Sequence, residues 1–158
     1  RDYRARKRVL EFDDVMNIQR EIVYGLRNEA IHAGDTRDLM HEVLRDAAEL
    51  SEETDEGIPT VDAYEASMDG LAPEVRERIE RRGLIASIDS HWQEHLEDME
   101  ELREGVYLRA QGQKDPLVEF KREAFDQFAL RMAEIRADAV RRIVGITGHL
   151  RGAKAAVA

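Results

Sequence analysis

The fold of this chain is decided by residues 87–128, SIDSHWQEHLEDMEELREGVYLRAQGQKDPLVEFKREAFDQF. Apolar residues lie on both sides of a short polar turn at 110–116, and they recur at steps of three and four, as on one face of a helix. Before the turn they are Leu84, Ile88, Trp92, Leu96, Met99, Leu102 and Val106; after it they are Leu117, Phe120, Ala124, Phe128, Met132, Ile135, Ala139 and Ile143. The pattern predicts an antiparallel hairpin of two long helices.

The remaining sequence predicts further helices and no strands. We expect one long helix at 1–32, a second at 36–50, a short one at 61–69 and another from Pro73 to about Arg82. Gly83 predicts either a break or a close approach of two helices, and the return helix of the hairpin is expected to end near Val144, before a flexible tail at 147–158. The predicted fold class is all-α, with a long helix, a helical hairpin and a small helical insertion between them.

Composition and charge limit the classes of function. Charged residues make up 37% of the chain, which is typical of long helices with narrow buried stripes. Residues 33–80 contain fifteen acidic and four basic side chains, so the middle of the chain is strongly negative. Nucleic-acid binding needs clustered Lys and Arg, and we therefore expect no nucleic-acid partner. The chain has no cysteine, which excludes disulfides and thiolate metal sites, and no apolar run approaches the length of a membrane span.

Four short motifs resemble the two-helix finger of the SecA family, the ATP-driven motors of bacterial protein export. They are the run Trp92-x-Glu94-His95-Leu96, then Leu108-Arg109, then Gln113-Lys114-Asp115-Pro116, and finally Glu119-Phe120-Lys121-Arg122-Glu123. A separate block at 11–20, EFDDVMNIQR, resembles the start of the long scaffold helix of the same family. The resemblance covers roughly half of the chain, and the two regions occur in the family's order.

The resemblance implies a division of the chain into parts of a larger protein. Residues 1–32 correspond to the long helix of the helical scaffold, 33–83 to a reduced helical wing, and 84–146 to the two-helix finger, with the tail at 147–158. The chain starts without Met, and its first residues already have helical periodicity. We therefore expect it to be a segment of a longer protein.

Two groups of site residues follow from the resemblance. The turn would contact the translocating polypeptide and the SecY channel through Arg109, Gln111, Gly112, Gln113 and Lys114. Gln111 stands where the family has a bulky apolar or aromatic residue, so a weaker and less selective grip on the polypeptide is expected. The second group, in the scaffold helix, would dock on the missing motor domains or bond internally, and it comprises Asp13, Asp14, Asn17 and Arg20. Trp92, His95 and Pro116 are expected to be structural.

A second motif, His91-x-x-Glu94-His95, matches the H-x-x-E-H pattern of some zinc peptidases. Two histidines four residues apart on a helix can chelate a metal, and the adjacent Glu94 could act as a base. This zinc hydrolase remains the less favoured alternative, because Trp92 lies on the predicted buried stripe and no third ligand stands out. The preferred interpretation is a half-buried structural His95 and an exposed His91, without metal.

The sequence contains no G-x-x-x-x-G-K-[ST] motif, so we expect no enzyme activity and no cofactor in this chain. The resemblance implies that ATP and Mg²⁺ are bound by motor domains elsewhere in the parent protein, which acts at the cytoplasmic face of the bacterial plasma membrane. Its expected partners are the SecY channel, a preprotein and those motor domains. The basic start of the chain (Arg1, Arg4, Arg6, Lys7 and Arg8) predicts a solvated helix face or docking to an acidic domain, with contact with anionic lipid as the less favoured alternative.

Two further possibilities remain open at this point. The chain could be an acidic helical-hairpin adaptor that binds other proteins, and self-association through uncovered apolar stripes is also possible.

Overall fold

The computed structural model describes residues 2–50, 57–109 and 115–157, and this part of the chain is all-α, as the sequence predicted. Its five helices are α1 (Asp2–His32), α2 (Thr36–Leu50), α3 (Val61–Ser67), α4 (Pro73–Arg109) and α5 (Pro116–Val157). Within these ranges no helix combines the length and the apolar composition that crossing a membrane requires.

Helices α4 and α5 form the predicted hairpin, and α1 packs along both of them. Three apolar clusters follow one another along this bundle. The tip cluster contains Phe12, Met99, Leu102, Val106, Leu117, Phe120 and Ala124. The middle cluster contains Val23, Ile88, Trp92, Phe128, Met132 and Ile135. The wing cluster joins α2 and the α3 region to the end of the bundle away from the turn, through Ala30, Leu39, Met40, Val43, Leu44, Tyr64, Met68, Ile79, Leu84, Ala139, Val140 and Ile143.

The order of residues in these clusters gives the helix directions. Helices α1 and α5 run from the tip cluster to the wing cluster, and α4 runs from the wing cluster to the tip cluster. Every residue of the two predicted stripes is buried except Leu96, which is half-buried.

Gly83 is a close approach and not a break. Helix α4 is continuous from Pro73 to Arg109, so the predicted end near Arg82 is wrong. A Cβ added at residue 83 would overlap Cγ1 of Ile143 and lie 3.0 Å from its Cδ1. The glycine is therefore needed for the distance between α4 and α5, and the helix tolerates it because packing outweighs the propensity cost of about 1 kcal/mol.

The chain beyond Val144 also differs from the prediction. The sequence predicted a helix end near Val144 and a flexible tail at 147–158, but α5 continues to Val157. The Thr147 hydroxyl is buried and donates to the Val144 carbonyl (3.0 Å), and Arg151 donates to the Ala66 carbonyl at 2.6 Å. The last turns of α5 are therefore held by a bond to the preceding turn of the same helix and by a bond to α3. Neither contact could be predicted from helix propensity.

A buried ionic cluster attaches the small helices to α4. The Glu80 carboxylate, 1% exposed, accepts hydrogen bonds from Thr36 (2.8 Å), Tyr64 (2.7 Å) and Arg76 (3.2 Å). Arg76 in turn makes two hydrogen bonds to Glu65, at 2.7 and 2.5 Å, and this hydrogen bonding lowers the pKa of Glu65 to about 2. Because α2, α3 and α4 each contribute to the cluster, the residues predicted to form the wing are held against the base of the hairpin.

We predict that Gly83→Ala destabilises the chain by roughly 1–3 kcal/mol, because the new methyl group must displace the buried Ile143 side chain. Gly105→Ala is the matched control on the same helix, since a Cβ there meets nothing within 4 Å. The control should gain up to about 1 kcal/mol from helix propensity. Chemical denaturation followed by circular dichroism measures both. Equal shifts for the two variants would contradict the close packing at Gly83.

Candidate functional site

The described part of the candidate site is the end of the hairpin next to the turn. Asp115 accepts a hydrogen bond from the Leu117 N–H at 3.0 Å and so caps α5, while Pro116 occupies its first position. Arg109 at the end of α4 makes two hydrogen bonds to Glu123 of α5, at 3.0 and 2.6 Å. These bonds raise the pKa of Arg109 and lower that of Glu123, so both groups are charged. The pair joins the two helices just below the turn.

The other predicted tip residues, Gln111, Gly112, Gln113 and Lys114, lie outside the described residues. Leu108 was named above only as part of a motif, and no role was predicted for the apolar side chains beside these residues. Leu108 is 72% exposed and Val118 63%, and Tyr107 is also exposed. Leu108 comes two residues after Val106 and therefore falls off the buried stripe, which is the signal that could have revealed it. Exposed apolar side chains therefore lie on the last turn of α4 and the first turn of α5, close in sequence to the Arg109–Glu123 ion pair.

A buried hydrogen-bonded chain crosses all three long helices between the tip and middle clusters. Nε2 of His95 (α4) lies 2.7 Å from Oε1 of Gln19 (α1), and Nε2 of Gln19 lies 3.2 Å from the carbonyl oxygen of Ala124 (α5). Because an amide oxygen only accepts, His95 donates from Nε2 and Gln19 donates onward to Ala124. His95 is 1% exposed and Gln19 4%, so His95 is fully buried and not half-buried as predicted.

The environment of His95 keeps its imidazole neutral. Burial lowers the pKa of His95 to about 4, and the positive charge of Arg131 adds to this effect, while Asp98 opposes it. Trp92 and Phe128 flank the ring, with centroids 5.7 and 5.4 Å away. Trp92 is itself buried in the middle cluster. The burial of both side chains is consistent with the structural roles predicted for them, which stay a prediction.

The H-x-x-E-H motif is not arranged as a metal site. His95 faces α1 and is engaged by Gln19, whereas His91 faces α5 and is half-buried, not exposed as predicted. Arg131 of α5 lies between the other members of the motif and donates to His91 (3.2 Å) and Glu94 (3.0 Å). A guanidinium in this position opposes a divalent cation. In the part of the chain that the structure describes, no three His, Asp or Glu side chains are grouped to hold a metal ion.

The predicted docking residues of α1 are on its surface. Asp13, Asp14, Asn17 and Arg20 are all exposed, and no hydrogen bond or ion pair joins them to one another within the described residues. Of the two predicted interpretations, internal bonding therefore has no support, and docking stays a prediction. The basic residues Arg4, Arg6, Lys7 and Arg8 are also exposed, on turns of α1 that precede the tip cluster.

Comparisons with known proteins point to one family. A family model described as "SecA Wing and Scaffold domain" matches residues 1–59 and 49–147. The chain is similar to proteins named "Protein translocase subunit SecA", with 35% identity to that of Chlorobaculum tepidum over 85% of this chain and 17% of the relative. The relative from Chlorobium luteolum is 32% identical over 87% of this chain and 17% of the relative. The relative from Symbiobacterium thermophilum is 30% identical over 90% of this chain and 22% of the relative. The chain spans about a fifth of the length of these relatives.

We predict that the stability of the chain falls as the pH drops from about 6.5 to about 4. The unfolded chain protonates the His95 imidazole near pH 6.5, whereas the folded chain keeps it neutral until about pH 4. The unfolded state then binds more protons, so stability is complete above the unfolded pKa and is lost as pH decreases. The loss from this group is at most about 3 kcal/mol.

The variant His95→Gln separates this effect from the titration of carboxylates. Its side-chain amide can still donate to Gln19 but does not titrate. Urea unfolding at a series of pH values should give a smaller decrease for the variant than for the natural chain. Parallel profiles for the two chains would show that His95 does not contribute.

Proposed function

Since this chain belongs to the SecA family, as its wing and scaffold region, we propose that it transmits movement of motor domains to a preprotein entering the SecY channel. The chain takes part in protein export as a non-catalytic, mechanical element. The observation that carries this proposal is the hairpin of α4 and α5, which extends without interruption from the wing cluster to the turn.

The contacts along the hairpin support a rigid connection between its two ends. At the base, α2 and α3 are bound to α4 through Glu80, and Gly83 permits close packing on α5. In the middle, Gln19 and His95 join α1 to α4 and α5. Near the turn, Arg109 of α4 donates two hydrogen bonds to Glu123 of α5. Helices held at several levels move together, because displacing one of them would expose buried polar groups.

The proposal assigns separate roles to the two surfaces. The turn, with Arg109, Gln111, Gly112, Gln113 and Lys114, contacts the preprotein and the channel. The exposed polar face of α1, with Asp13, Asp14, Asn17 and Arg20, docks on the parent's motor domains, which bind ATP and Mg²⁺ and supply the movement. No cofactor is assigned to this chain. The parent would act in the bacterial cytoplasm, peripherally on the cytoplasmic face of the plasma membrane, and the basic start of α1 could approach that surface.

Crosslinking from position 111 tests the role of the turn. Gln111→Cys is introduced into the full-length parent, from which any native cysteines have been removed. A preprotein with a single cysteine is then stalled in the channel. We expect a disulfide between residue 111 and the preprotein that requires both ATP and the channel, because the turn would lie beside the moving polypeptide.

Ser90→Cys is the matched control, since Ser90 is exposed on the same helix about 28 Å from Arg109. It should give no crosslink. If residue 111 also gives none while another channel-facing position does, the turn does not contact the preprotein. The hairpin would then be a structural support only, and the adaptor interpretation is favoured.

A further inference from the structure

A groove between α1, α2 and α5 has no role in the function proposed above. It encloses about 260 Å³ on the side of α1 next to α5. Its floor is apolar and comprises Ile22, Gly25 and Leu26 of α1, Val43 of α2 and Met132 of α5. Val43 and Met132 are buried, but Ile22 is 49% exposed. The floor therefore presents apolar surface that the described residues leave open.

The rim of the groove carries an unbalanced negative charge. Glu21 and Glu29 of α1 and Glu42 and Asp46 of α2 line it, against the single guanidinium of Arg136. Arg136 is already engaged, since it lies 3.5 Å from Asp46 and donates to the Met132 carbonyl. Within the described ranges Glu21, Glu29 and Glu42 have no cationic partner, so their charges are available to a positively charged ligand.

Gly25 allows the backbone of another helix to approach the centre of the groove. A glycine inside a helix costs about 1 kcal/mol relative to alanine. At Gly83 close packing on α5 requires the glycine, but a Cβ at Gly25 would meet nothing within 4 Å. Within the described residues no contact requires a glycine here, as is also true of Gly105 on α4. A flat position between Ile22 and Leu26 lets a neighbouring helix approach α1 closely, as small residues do at helix crossings.

We propose that this α1–α2–α5 groove binds a cationic amphipathic helix of a partner protein. An apolar ridge of that helix would lie over Ile22, Gly25 and Val43, and its flanking Lys or Arg side chains would face Glu21, Glu29 and Glu42. The basic start of α1 has similar chemistry, so a second copy of the chain is the competing occupant. The net charge of −10 on each copy opposes that association and favours a foreign cationic helix.

The probe is a fluorescently labelled synthetic helix of about 18 residues, long enough to be helical alone. It carries a Leu ridge with Lys on both flanks, and the comparison peptide has Glu in place of Lys. Anisotropy titrations with the 158-residue chain at low salt should detect binding of the Lys peptide only. Binding should weaken as salt is raised, because the rim charges are exposed. Failure of the Lys peptide to bind overturns the proposal.

Three variants locate the binding site. The double variant Glu21→Lys with Glu42→Lys should weaken binding by roughly tenfold, through two lost pairs and new repulsion. Gly25→Leu should also weaken binding, because the new side chain would occupy the groove, while its Cβ meets nothing within 4 Å. Glu97→Lys with Glu101→Lys is the control with the same change in charge at exposed positions of α4, and it should bind normally. Circular dichroism confirms that each variant is folded.

Several results would reject the groove as the site. Equal weakening by the control pair would indicate general attraction to an acidic protein. Full binding by a folded Gly25→Leu variant would exclude an occupant over residue 25. Sedimentation showing that the chain associates with itself, and that Glu21→Lys with Glu42→Lys abolishes this association, would assign the groove to a second copy. None of these outcomes depends on the crosslink at residue 111, so the two proposals fail separately.

Discussion

The packing of the three long helices depends on the buried hydrogen-bonded chain from His95 through Gln19 to the Ala124 carbonyl. Apolar stripes of long helices can slide by one turn and still bury similar surface, because leucine-like side chains are interchangeable. Polar groups cannot, since each loses its partner when the helices shift. These hydrogen bonds lie between the tip and middle clusters, and each of the three helices contributes one hydrogen-bonding group to them. It therefore selects one alignment of α1, α4 and α5 among several with comparable apolar burial.

The same principle operates at the base of the bundle with charged groups. Glu80 gathers donors from α2, α3 and its own helix, and Arg81, the next residue, donates to the carbonyls of Ala30, Ile31 and Ala33 at the end of α1. The last carbonyls of a helix have no donor within it, so an arginine from α4 satisfies those of Ala30 and Ile31 and that of Ala33, the residue after α1. Two adjacent residues of α4 thus hold the wing helices on one side and the end of the long helix on the other.

The helices were predictable because their stripes are long and regular, whereas interactions between helices were not. Stripe positions from Leu84 to Ile143 correctly predicted which faces of α4 and α5 are buried. Gly83 was ambiguous, since only the position of Ile143 across the crossing distinguishes a break from a close approach. The helix after Val144 was missed because its support comes from Ala66, distant in sequence. The H-x-x-E-H motif was resolved only by Gln19 and Arg131, which lie on other helices and which no local pattern connects to it.

The continuity of α4 through Gly83 has a geometric consequence. One end of this helix is packed among the wing helices, and the other carries Arg109 next to the turn, about 39 Å from Gly83 along the axis. A rigid rod of this length magnifies small angles. A tilt of about 5° at Gly83 moves Arg109 by about 3.4 Å, which is the advance of one residue in an extended polypeptide. A small rotation at the base of the hairpin thus corresponds to a displacement of about one residue length at the far end.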